Sequence, residues 1–272
     1  MTIVVGAASP DGIVLAADSR TMLMYENQRT RISTDAAEKV FELHGRFGAA
    51  TYGTAFLGDQ TINGVMNEFI ASIGGDGCTD VEACAKAVGD FFTDRFKMAF
   101  PDYGPDPSGG WPLGFVVAGY DGAGIGHVWE VGVPGPLLIE QEGVSTTQRG
   151  VLWRGQADVI GRLIKGLDHN ALVAAGITLE PAVAETLAKP EYILLLPATL
   201  QDAADLAFFL VRTTIDMQRF SDGTALAPGL VPGCGGRTQM LAVKPGGVEW
   251  ISRRWYVGPG TPGLAEGSVD LD

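Results

Sequence analysis

The chain is short of basic residues, of cysteine and histidine, and of long apolar runs, and each shortage closes off a class of function. Only 19 Lys and Arg stand against 32 Asp and Glu, a formal net charge of −13 over 272 residues. No basic excess is present to displace counterions from a phosphate backbone, so no nucleic-acid partner is expected. Cys78, Cys84 and Cys234 form no C-x-x-C pair and leave one thiol over, which suits a reducing cytoplasm better than a disulfide framework. His44, His127 and His169 have no ligand-like spacing to one another or to cysteine, so structural roles are expected, with no metal and no cofactor. The most apolar stretch, around Tyr192 to Leu196, stops at Pro197, far short of the ~20 residues that span a bilayer. The first residues lack a basic region followed by an apolar one, so neither a signal peptide nor a membrane location is expected. No serine sits in a G-x-S-x-G elbow, and Gly122-x-Gly124-x-Gly126 reads as turn chemistry because no helix start follows it. There is no P-loop.

What is present is a succession of hairpins and helices. Two apolar, β-branched runs at residues 3–8 and 13–17 flank Ser9-Pro10-Asp11-Gly12, a hairpin signal. Residues 21–37 are polar and read as an irregular loop. A second hairpin is expected around His44-Gly45, with its second strand ended by Gly53. Residues 55–73 carry helical spacing through Phe56, Ile62, Val65, Met66, Phe69 and Ile70, and Thr79-x-x-Glu82 matches a capping box opening a second helix. A third hairpin is expected over Asp121-Gly122-Ala123-Gly124, then a β segment over 137–153. Helices are expected over 157–167, 180–188 and 200–217, and a closing hairpin around Gly246-Gly247. Runs of strands and helices segregated in this way indicate an α+β protein with antiparallel sheets stacked face to face and helices outside them. Strands apolar on both faces, as at 3–8 and 13–17, fit a sheet buried on both sides.

Thr2 is the residue with chemistry. Removal of Met1 would give it a free α-amine beside its own hydroxyl, and an N-terminal threonine is a nucleophile whose base is its own amine. That amine titrates near ~7.7–8.0 when unperturbed. Antiparallel pairing of the first two strands brings Asp18 to the start of the first, and Lys39, at the mouth of the next hairpin, can reach the same end. An ammonium there would disfavour protonation of the Thr2 amine, and Asp18 would hold the lysine in place. On spacing alone, Asp18 and Lys39 could equally form a purely structural ion pair or stand as two unrelated surface charges.

Thr2, the run Gly12-Ile13-Val14-Leu15-Ala16-Ala17-Asp18-Ser19-Arg20, Lys39-Val40 and Ala49-Ala50-Thr51-Tyr52-Gly53 together resemble a proteasome β subunit, including the related bacterial ring peptidase. The likeness is specific over roughly the first sixty residues, moderate from Leu113 to Gly155 and weak beyond. It implies the four-layer α-β-β-α sandwich of the N-terminal-nucleophile hydrolases and a threonine-type endopeptidase. In its terms Thr2 is the nucleophile, Asp18, Arg20 and Lys39 support it, and the Gly53 N–H serves the oxyanion. Lys39 follows what looks like a five-residue insertion, and Met22, Thr51 and Ala55 fall where the family lines its substrate groove. The resemblance further implies a peptide or unfolded-protein substrate, a homo-oligomeric ring and a separate ATP-dependent unfoldase. It is carried by one domain over 1–256, with insertions near 169–190 and 219–232, and an acidic tail at 257–272 is expected to be disordered.

The chain also departs from the family. The family's glycine-serine-glycine segment, whose serine supports the threonine amine, falls on Trp153-Arg154-Gly155. Its later aspartate and serine fall on Val231 and Cys234, with Asp216 and Asp222 as candidate replacements. Cys234, between glycines, reads as a small buried residue close to the site. A non-catalytic ring subunit and a small-molecule amidohydrolase on the same fold therefore stand beside the peptidase as alternatives.

Overall fold

A computed structural model of the chain describes residues 2–24, 30–74, 77–104, 110–135, 137–166, 169–188, 196–221, 223–224, 227–228 and 231–253. Met1, Asp222, most of the apolar stretch before Pro197 and the tail at 257–272 lie outside the described residues.

The chain opens with the hairpin of β1 (Ile3–Ser9) and β2 (Gly12–Ala17), whose strands are buried throughout. Residues 21–37, expected as a loop, instead hold the two-stranded ribbon β3 (Thr21–Met24) and β4 (Thr30–Thr34). The alternation Thr30-x-Ile32-x-Thr34 suits a pleated edge, but its polar composition concealed it. Next come β5 (Val40–Leu43) and β6 (Phe47–Gly53), joined through His44 and Gly45, both at positive φ (51° and 69°).

The helix expected from residue 55 begins later. The small hairpin of β7 (Phe56–Leu57) and β8 (Gln60–Thr61) turns at Gly58-Asp59, and Thr61 then caps α1 (Ile62–Ile73) by accepting from the Gly64 N–H. The cap of α2 (Val81–Ala99) is Asp80, which accepts from Ala83, rather than Thr79. Strands β9 (Leu113–Tyr120) and β10 (Gly126–Val133) form the third hairpin, followed by β11 (Leu137–Glu140) and β12 (Gly150–Gly155).

After α3 (Asp158–Lys165), the stretch expected as an insertion carries α4 (His169–Ala174) and α5 (Pro181–Ala188). The long α6 (Leu200–Arg219) starts with a complete capping box between Thr199 and Asp202. Two short pieces, β13 (Gly223–Thr224) and β14 (Ala227–Pro228), precede the closing hairpin of β15 (Gln239–Lys244) and β16 (Gly247–Ser252).

Two five-stranded antiparallel sheets result, in the orders β12-β1-β2-β15-β16 and β11-β10-β9-β6-β5. Alternation along β1 explains how the core divides. Val4 and Ala8 pack with Leu15, Val40, Ala50, Val116 and Leu241, residues of both sheets, whereas Ile3, Val5 and Ala7 meet α6 through Ala203, Ala207, Leu210 and Val211. The alanines let α6 approach β1 and β2 closely. The second sheet meets α1 and α2 through Phe69, Phe92 and Phe115, with the Phe92 and Phe115 ring centroids 4.4 Å apart.

Candidate active site

The end of the first sheet where β1 begins and β2 ends gathers the residues singled out in the sequence. Backbone pairing sets Val4 opposite Ala17, and Asp18 N–H donates to the Ile3 carbonyl (3.3 Å). Asp18 is fully buried and accepts four hydrogen bonds. Its Oδ1 takes the Ile3 N–H (3.1 Å) and the Lys39 ammonium (2.8 Å); its Oδ2 takes the N–H groups of Arg20 (3.1 Å) and Gly235 (3.0 Å). The peptide nitrogen immediately after Thr2 and the Lys39 Nζ are thus neighbours across one oxygen atom. Thr2 itself is 6% exposed and Lys39 5%.

Lys39 comes from the second sheet, and a residue that sequence reasoning missed fixes it there. Gln239, buried at the start of β15, accepts from the N–H groups of Lys39 (2.9 Å) and Val40 (3.2 Å) and donates to the Ala37 carbonyl (2.8 Å). The Lys39 carbonyl accepts in turn from the Thr51 N–H, two residues before Gly53. Some 200 residues separate Gln239 from Lys39, and no local pattern announces such a contact.

Arg20 contributes its backbone N–H to Asp18, while its guanidinium forms a paired contact with Asp35 (2.7 and 3.0 Å) and reaches the Pro232 carbonyl (3.2 Å). Ser19 Oγ donates to the Asp35 carbonyl, so the segment leading to Lys39 is tied to the residues that follow β2. Gly53 ends β6 at φ +99°, where a Cβ would lie 2.3 Å from the Pro112 carbonyl oxygen. Only glycine fits there without displacing that strand. Thr51 is buried and its hydroxyl donates to the Gly114 carbonyl (3.3 Å). Met22 and Ala55 are half-buried; Met22 pairs with Ile32, and the Ala55 carbonyl accepts from Ile62.

Opposite these residues lies β12. Ile3 pairs with Gly155, and the Thr2 carbonyl accepts from the Gln156 N–H at 2.7 Å. Gly155 has φ +86°, and a Cβ there would stand 2.0 Å from the Thr2 oxygen. Its neighbour Arg154 grips Glu130 with two hydrogen bonds of 2.6 Å, and the Tyr52 hydroxyl donates to the same carboxylate (2.7 Å). Burial would raise the Glu130 carboxyl, but the Arg154 and Tyr52 hydrogen bonds outweigh it and hold it below its ordinary value. Burial, helped by Glu130, pushes the Tyr52 phenol up. An open cleft of about 640 Å³ runs beside this ion pair, lined by Gln141, Glu142, Trp153, Arg154, Gly155 and Lys165 among others.

Cys234 is buried next to Gly235, and its N–H donates to Gln218 Oε1 (2.8 Å). Burial and then Asp18 push its thiol well up, with Lys39 acting the other way. Asp216, a candidate for supporting the amine, is elsewhere: it pairs with Arg212 (2.8 Å) on the outer side of α6, with its side chain 37% exposed. Among the described residues no cluster of His, Cys, Asp and Glu could hold a metal ion, and no helix is long and apolar enough to cross a membrane. His127 lies between Glu140 (2.6 Å) and Asp121 (3.2 Å), bridging the β9–β10 turn and β11.

Stacked antiparallel sheets with helices packed on them, and a buried lysine–aspartate pair where the two sheets meet, describe a mixed α/β protein. Among solved structures, the fold is similar to the Anbu (Gly-1) mutant from Hyphomicrobium sp. strain MC1, with a TM-score of 0.55 at 14% sequence identity. The match covers 93% of this chain and 85% of that one. At that identity the likeness is one of fold. No protein-family profile and no curated protein matches the chain.

Proposed function

We propose that the chain is a threonine-type endopeptidase, and that its layers form the α-β-β-α sandwich of the N-terminal-nucleophile hydrolases in one domain. The observation that carries this reading is the shared Asp18 oxygen: Lys39 Nζ and the peptide nitrogen of Thr2–Ile3 meet on it inside a buried edge.

Once Thr2 is the first residue, its neutral amine takes the hydroxyl proton as Oγ bonds to a peptide carbonyl carbon. The Lys39 ammonium favours the neutral amine. The carbonyl oxygen becomes an oxyanion, which the Gly53 N–H stabilises; such a donor is worth ~2.7–4 kcal/mol. Collapse of that intermediate breaks the C–N bond, and the Thr2 ammonium returns its proton to the leaving nitrogen. Water then attacks the ester, with the amine again as base, and restores the hydroxyl. Arg20 acts through its backbone N–H on Asp18. Met22, Thr51 and Ala55 line the approach for a peptide or unfolded protein. By analogy of fold the working form is a homo-oligomeric ring fed by a separate ATP-dependent unfoldase.

One observation favours a second reading, a non-catalytic subunit. Arg154 stands where the family serine falls, and its side chain is committed to Glu130.

The test is hydrolysis of an unfolded protein, with labelling by a threonine-directed electrophile and the mass of the N-terminal peptide measured on the same sample. Thr2 should be the first residue and carry the label, and Thr2→Ala should fold normally and hydrolyse nothing. Turnover by Thr2→Ala, or by protein that retains a residue before Thr2, overturns the peptidase reading. A first-residue Thr2 that neither labels nor cleaves leaves the non-catalytic subunit.

A further inference from the structure

We propose that Gln156 and Asp158 seat the α-ammonium of Thr2 as its hydrogen-bond acceptors. The inference rests on the reading of Thr2 as the first residue.

An α-ammonium brings three N–H donors into a region where Thr2 is 6% exposed, and buried donors need acceptors. Asp18, which accepts from the adjoining Ile3 N–H, cannot supply one. Each of its oxygens already accepts two hydrogen bonds, from Ile3 and Lys39 on Oδ1 and from Arg20 and Gly235 on Oδ2, which fills its lone-pair sites. Lys39 is donor-only. Asp216 is spent on Arg212.

Two oxygens remain. Gln156 Oε1 and Asp158 Oδ1 are buried atoms with no hydrogen-bond partner. Gln156 is held against Thr2 by its own backbone, since its N–H donates to the Thr2 carbonyl at 2.7 Å. That approach is possible because Gly155 is left-handed there. Asp158 follows two residues later as the first residue of α3. Its charge, like those of Asp18 and Lys39, bears on the Cys234 thiol. A buried carboxylate oxygen without a donor is costly, and an arriving ammonium removes that cost.

The groups facing the amine are then Lys39 from the second sheet, Asp18 and Arg20 from the end of β2, Asp158 from α3 and Cys234 from the loop before β15. Lys39 lowers the amine's affinity for a proton and Asp158 raises it. Their opposition sets where the base becomes available.

The test uses the full chain with Thr2 as its first residue. The rate of α-amine acylation by acetic anhydride, followed against pH on the N-terminal peptide by mass spectrometry, gives the amine's midpoint without requiring turnover. Asp158→Asn should lower that midpoint by about one unit, since an adjacent carboxylate stabilises an ammonium, and Asp158→Glu should restore it. Gln156→Ala should speed acylation at high pH by releasing the amine. An unchanged midpoint in Asp158→Asn, with the melting curve retained, overturns the proposal; if that variant does not fold, Asp158→Ser carries the same comparison. Peptide hydrolysis measured in parallel keeps the two readings apart. A midpoint that follows Asp158 in a chain that cleaves nothing supports the seating and removes the peptidase. Cleavage through Thr2 with a midpoint indifferent to Asp158 retains the peptidase and overturns the seating.

Discussion

The Asp18–Lys39 pair offers a perturbation whose two halves should cost different amounts. Asp18 is fully buried, and its carboxylate holds one ammonium and three backbone N–H groups. Asp18→Ala strands all four donors at once, including a lysine with only 6% of its side chain exposed. Removing one partner of such a buried pair costs roughly 3–5 kcal/mol. For a chain of this size that lowers the melting temperature by on the order of 6–20 °C. Lys39→Met removes one donor of the four. The carboxylate keeps its three backbone N–H groups, and the methionine fills the lysine's apolar path, so the loss should be about 1–3 kcal/mol. Urea denaturation at one fixed protein concentration reads both values, and hydrolysis should vanish in both variants. A Lys39→Met variant destabilised as much as Asp18→Ala would show that the backbone donors do not hold the carboxylate, and the reasoning would fail.

Other outcomes follow from single features. Gly155→Ala places a Cβ 2.0 Å from the Thr2 carbonyl at φ +86°, so it should lose at least about 1–3 kcal/mol and most activity in a melting and turnover comparison. Gly246→Ala, where a Cβ meets nothing within 4 Å, should change neither. Glu130→Gln should be less stable than the parent at pH 7 by roughly 1–3 kcal/mol. The folded-state carboxyl lies below its ordinary 4.5, so its stabilisation is present above that value and fades as pH falls through the lowered one. The gap between variant and parent should therefore close in strongly acidic urea titrations, and a gap that widens there would contradict the ion-pair assignment. Burial pushes up the thiols of Cys84 and Cys234, so iodoacetamide at pH 8 should label neither until the protein is denatured, as mass spectrometry would show.

Legibility in the sequence followed the range of the interactions. The β1–β2 hairpin announced itself through Pro10-Asp11-Gly12 between two apolar runs, and its pairing alone carried Asp18 to the start of β1. Helix α6 was plain because alanine, leucine and valine recur on one face. Where two local signals competed, boundaries slipped. Apolar spacing from Phe56 suggested a helix, but Gly58-Asp59 turned the chain first and Thr61 set the true start. Thr79 and Asp80 both suit a helix cap, and only the backbone decided for Asp80. The supports of Asp18, Arg20 and Lys39 were not legible. Gln239 and the Gly235 N–H act across some 200 residues, and Asp35 meets Arg20 only after β3 and β4 double back. Asp216 looks available in the sequence, but Arg212, one helical turn earlier on the same face of α6, claims it.

Gln239, near the C-terminal end, clasps the backbone of Lys39, while Thr2 stands at the other. During synthesis, then, Asp18 and Lys39 leave the ribosome some 200 residues before the clasp that orders them. The buried Asp18–Lys39 pair gains that support only when β15 comes in beside β2. A polypeptide interrupted before that point would leave the N–H groups of Lys39 and Val40 without the acceptor that holds them.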